Sequence, residues 1–63
     1  MNAYAKKDGN GTRRIAVSAS EGAVTVRRSF GSPGGTFPVD DPAAVVRAIA
    51  ADLEEDGYAE EGP

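Results

Sequence analysis

The stretch that decides the fold runs from residue 12 to residue 30 and reads TRRIAVSASEGAVTVRRSF. Both halves of it alternate. Ile15, Val17 and Ala19 share one side of an extended chain, and Arg14, Ala16, Ser18 and Ser20 share the other. In the second half Val24, Val26, Arg28 and Phe30 lie together, opposite Ala23, Thr25, Arg27 and Ser29. A period of two marks a half-buried strand, because successive side chains of a strand point to opposite faces. Between the halves sits Glu21-Gly22, a two-residue connection ending in the residue that most readily takes a positive φ. With these two as the loop, paired positions sum to 43, so that Ala19 faces Val24, Val17 faces Val26, Ile15 faces Arg28 and Arg13 faces Phe30. The two apolar sets then fall on one face of the ribbon, whereas a slip of one residue would part them. Arg28 interrupts that face, at its rim, with its stem over apolar neighbours.

Downstream, Gly31-Ser32-Pro33-Gly34-Gly35 is a loop by composition. It lacks the Gly-Lys-Ser/Thr ending of a phosphate loop, so it reads as a plain turn. Thr36-Phe37-Pro38-Val39 is a short third strand with Phe37 and Val39 on one face. Pro38 has no N–H for a ladder, which makes this segment an edge strand or merely an extended stretch. Asp41 is a helix N-cap and Pro42 a first helical residue. The helix runs to about Asp56, with Val45, Val46, Ile49 and Leu53 as its apolar stripe, flanked by Ala48 and Ala50. Gly57 ends it, and Leu53 and Tyr58 occupy the two positions that touch in a Schellman cap. The run Glu54-Glu55-Asp56 stands against the negative end of the helix dipole, an unfavourable place.

Residues 1–11 show no periodicity and read as a flexible tail. Gly9-Asn10-Gly11 suits a turn, but no strand pattern precedes it. Residues 59–63 read as an acidic tail. The expected fold is one α+β domain over residues 12–58, a β-hairpin plus a short third strand packed on one C-terminal helix, ββ(β)α. Its core would draw on Ile15, Val17, Val24, Val26, Phe30, Phe37 and Val39 from the strands. Val45, Val46, Ile49 and Leu53 would join them from the helix. As an arrangement of elements this is similar to small DNA-binding domains at the N-termini of some phage and transposon integrases. The stretch from Phe37 to Ile49 also resembles part of the dimerising N-terminal module of a class of nucleoid proteins, without that class's Arg-Gly-Arg DNA-binding segment.

Composition narrows the function. The chain has 63 residues, no Cys and no His. That excludes a disulfide framework, a conventional zinc site and a Ser–His–Asp or Cys–His nucleophile system. The carboxylates do not follow the spacing of a calcium loop. No catalytic, metal or cofactor residue is expected, nor a small-molecule substrate. There is no run of eighteen apolar residues and no visible leader, so the expected setting is cytoplasmic and off the membrane. A domain this small is marginal alone, and with disulfides and metals excluded a partner subunit is the remaining support.

Charge supplies the candidate surfaces. The net charge is −3. Residues 1–31 carry six basic and two acidic side chains, and residues 32–63 one basic and eight acidic. Arg13, Arg14, Arg27 and Arg28 cluster toward the open end of the predicted ribbon, with Lys6 and Lys7 on the preceding segment able to extend the patch. Asp52, Glu54, Glu55 and Asp56 form an acidic surface at the helix end. The sequence therefore predicts a small non-enzymatic interaction module, a homodimer or the partner of another protein, in an accessory or regulatory role. The alternative is a DNA-associated accessory protein that contacts the duplex through its Arg-bearing ribbon, since a two-stranded ribbon fits a major groove. No aromatic stands on the outer ribbon face, which counts against a stacking platform for single strands.

Overall fold

The computed structural model describes residues 2–61. It contains β1 (Asn2–Asp8), β2 (Gly11–Ser20), β3 (Ala23–Arg28), β4 (Gly34–Pro38), α1 (Pro42–Glu55) and β5 (Ala59–Glu61). The strands form one antiparallel sheet in the order β4-β3-β2-β1-β5. The first four strands meander. The helix then carries the chain back across one face, so that β5 pairs with β1 at the far edge.

The hairpin of β2 and β3 has the register that its alternation requires, with Ala19 opposite Val24, Val17 opposite Val26 and Ile15 opposite Arg28. Gly22 takes φ +72° in the turn. Beyond the paired residues the ribbon is held by Ser29, whose N–H donates to the Arg14 carbonyl at 3.0 Å. The Ser29 hydroxyl oxygen in turn accepts from the Arg14 N–H at 3.0 Å. The helix is capped as its ends demand. The Asp41 carboxylate accepts from the Ala44 N–H at 3.2 Å. At the other end Gly57 has φ +99°. The Tyr58 N–H donates to Leu53 at 2.9 Å and the Gly57 N–H to Glu54 at 3.1 Å, the two bonds of a Schellman motif.

Both expected tails are strands. Asn2–Asp8 pairs along its length with β2, placing Tyr4 opposite Ile15 and Lys6 opposite Arg13. Gly9-Asn10 is its turn, closed by the Asn10 N–H on the Asp8 carboxylate at 2.8 Å. Ala59–Glu61 pairs with β1 rather than trailing free. The parts of the expected tails at Met1, Gly62 and Pro63 lie outside the described residues. The third strand covers Gly34–Pro38, beginning two residues earlier than Thr36 and ending before Val39. The early start depends on Gly34. Its φ is +94°, and a Cβ there would lie 2.2 Å from the Val26 carbonyl oxygen.

The core also differs from expectation. The buried side chains are Tyr4, Ile15, Val17, Val24 and Tyr58, with Val26, Phe30, Val39 and the stripe Val45, Val46, Ile49, Ala50 and Leu53 packed around them. Two tyrosines replace Phe37, which is 50% exposed. Phe37 points to the helix side but lies on an edge strand that the helix does not reach. Tyr4 instead lies on a strand paired on both sides, and Tyr58 is drawn inward by the cap that holds its amide.

Burial raises the Tyr4 pKa above its ordinary value, and the carboxylates of Glu60 and Glu54 raise it further. The neutral phenol is therefore the form that folding favours. Its contribution is complete below the unfolded value of about 10 and is lost as pH rises through the folded pKa. Thermal melts across the alkaline range are expected to show a falling Tm above about pH 10, with a shallower fall in Tyr4→Phe. Tyr4→Ala removes a buried ring and is expected to cost about 3–5 kcal/mol, enough to leave a domain this small largely unfolded by circular dichroism at room temperature.

Candidate functional site

Strand alternation divides the six predicted basic residues between the two faces of the sheet. Lys6, Arg13 and Arg28 share the helix-side face with Tyr4, Ile15 and Val26. Lys7, Arg14 and Arg27 share the open face, which no helix covers. On that face Lys7 stands opposite Thr12, two residues before Arg14 on β2. Arg27 stands opposite Ala16, two residues after Arg14. The three are thus successive diagonal neighbours across β1, β2 and β3, each step about 7–8 Å between backbones. Extending the diagonal reaches Thr36 on β4, because Thr36 pairs with Thr25 and Thr25 with Ser18. The Thr25 and Thr36 hydroxyl oxygens are 2.9 Å apart. Small residues such as Ala3, Ala5 and Ala16 fill the space between, so the basic groups stand clear of their surroundings. The one carboxylate among the open-face strand residues is Glu61, whose Oε1 lies 3.3 Å from the Arg14 Nε.

On the helix side the cations have local tasks. The Lys6 ammonium donates to the Asp56 backbone carbonyl at 2.7 Å, capping the end of α1. It also lies 5.7 Å from the Tyr58 ring centre. A cation there offsets the acidic run at the negative end of the helix dipole. The Arg13 Nε is 2.8 Å from the Asp8 carboxylate, and its guanidinium stacks 4.9 Å from the Phe30 ring centre. Arg13 thus reaches Phe30 as the hairpin register predicts. The Asn10 N–H, then the Arg13 guanidinium, hold the Asp8 carboxyl below its ordinary pKa. That contribution is present above the unfolded pKa and is lost as pH falls through the folded one. Arg28 is exposed at the rim.

Asp52, Glu54, Glu55 and Asp56 are all exposed around the last turn of α1. Asp52, Glu55 and Asp56 border an open depression floored by Leu53. Among the described residues no three carboxylates converge as a metal-binding group. Among the described residues no helix is long and apolar enough to cross a membrane. The features that the sequence reading missed are the exposure of Phe37, expected in the core but standing on an unpaired edge, and the pairing of the Thr25 and Thr36 hydroxyls. Their signal lay in Pro38, which names the edge, and in the hairpin register, which places Thr25 on the open face. Comparison with known proteins finds no matching family model, no matching curated protein and no matching solved structure.

The two faces separate by experiment. Lys6→Met is expected to lower stability by about 1 kcal/mol in urea melts, through loss of the helix cap. Lys7→Met, on the open face, is expected to change it by less than about 0.5 kcal/mol.

Proposed function

We infer that this chain is a small non-enzymatic interaction module that acts as a homodimer, in an accessory or regulatory role. The observation that carries this reading is how little of its apolar surface the chain covers by itself. No side chain of α1 is fully buried. Among the described residues five side chains make up the buried core, and Phe37 stands half in solvent. Covering that apolar surface with a second copy would complete the structure without disulfides or metals.

Sedimentation equilibrium from micromolar to submillimolar concentration tests the reading. The apparent mass is expected to rise toward twice that of the chain, and a monomer at every concentration would overturn it.

A second reading has its own observation. The diagonal of Lys7, Arg14 and Arg27 on an uncovered face flanked by hydroxyls supports contact with a phosphate backbone, as in a DNA-associated accessory protein. On this reading, fluorescence anisotropy with duplex DNA at low salt shows binding whose logarithm falls linearly with the logarithm of salt concentration. Arg27→Ala weakens it and reduces the slope by about one. Absence of binding at low salt removes this reading and leaves the first intact.

A further inference from the structure

Resting on the self-association reading above, we propose that two copies join through β4, antiparallel about a two-fold axis at Thr36, to make one continuous sheet. The free side of β4 is built for this. In the β3–β4 ladder the Arg28 N–H donates to the Pro33 carbonyl at 3.1 Å and the Val39 N–H to the Gly22 carbonyl at 3.0 Å. These bonds share the register of the Val26–Gly35 and Val24–Phe37 pairs. Antiparallel alternation then directs the N–H and C=O of Gly34 and Thr36, and the C=O of Pro38, away from β3. β4 ends the sheet, so no strand among the described residues takes those groups. Pro38 lacks a donor on that same side, where its absence costs the β3 ladder nothing.

Charge selects the edge and the occupant. β4 reads GGTFP and carries no charge, so two copies of it meet without repulsion. The opposite edge, β5, carries Glu60 and Glu61, which would oppose each other across a seam between identical strands. With opposed residues summing to 72, Thr36 faces Thr36 of the second copy, Gly34 faces Pro38 and Gly35 faces Phe37. The register is self-complementary. Each half-exposed Phe37 covers the bare backbone of the other copy's Gly35, and the two rings become diagonal neighbours across the axis. On the open face the Thr25–Thr36 hydroxyl pair meets its own copy, giving four hydroxyls in a row. Both helices lie on one side of the joined sheet.

The chain has no cysteine, so Thr36→Cys supplies a single thiol on the proposed axis. Residues opposed in a hydrogen-bonded antiparallel pair have Cα atoms about 5.5 Å apart, inside the usual disulfide range of about 4.4–6.8 Å. Mild oxidation at concentrations where the wild type is dimeric is expected to turn most of Thr36→Cys into a covalent dimer on a non-reducing gel. Ser18→Cys, two strands inward on the same face, is expected to remain mostly monomeric. Phe37→Lys is expected to weaken dimerisation at least tenfold in sedimentation, with helix and sheet content unchanged by circular dichroism. A wild-type dimer without cross-linking at Thr36→Cys, or with equal cross-linking at Ser18→Cys, overturns the β4 seam and leaves self-association standing. A folded Phe37→Lys variant that dimerises normally overturns it too. A wild type that is monomeric throughout overturns both.

Discussion

Tyr58 sits where three parts of the chain meet. Its amide closes the Schellman turn on Leu53, its ring is buried in the core, and the next residue begins β5. That turn reverses the chain after the helix and brings it against β1. The Lys6 ammonium reaches the same turn from β1 and takes the Asp56 carbonyl. The end of the helix and the β1 side of the sheet therefore hold each other in place. β1 needs this support. Of its seven residues only Tyr4 is a large apolar side chain, and Ala, Lys, Asn and Asp are poor strand formers. It becomes a strand by pairing with β2 on one side and β5 on the other.

This explains which elements were legible in the sequence. β2 and β3 announce themselves because their alternation is clean and their loop is a two-residue turn, so one register satisfies both strands. The helix is legible because its cap, proline, stripe and terminal glycine agree. β1 and β5 carry no such pattern, since NAYAKKD and AEE hold one large apolar residue between them. Their pairing is a tertiary fact. Phe37 misleads for the reverse reason, being apolar and in phase with the core while lying on a strand beyond the reach of the helix.

The candidate surfaces were legible in part. Alternation alone separates Arg14 and Arg27 from Arg13 and Arg28. Lys7 joins the open-face pair only once β1 is known to be a strand. The task of Lys6 could not be read locally, because its partner lies fifty residues away. The contrast between basic and acidic halves of the sequence becomes a contrast between layers. The open face carries Lys7, Arg14 and Arg27 against Glu61, while the helix side carries Lys6, Arg13, Arg28 and Arg47 against seven carboxylates, at Asp8, Asp41, Asp52, Glu54, Glu55, Asp56 and Glu60. The molecule thus has a dipole running through the sheet.

The pairing of β1 with β5 also sets the chain's points of attachment. Ala3 stands opposite Glu61, so the first and last described strands have their outer ends side by side at one corner of the sheet. A protein fused before Asn2 or after Glu61 would be attached at that corner, three or four strands away from β4. The same closeness allows a circular permutant in which a short linker joins Glu61 to Asn2 and new ends open at Glu21-Gly22. For a domain displayed on a surface or strung in tandem, one corner would serve as the anchor and the opposite edge as the exposed working side.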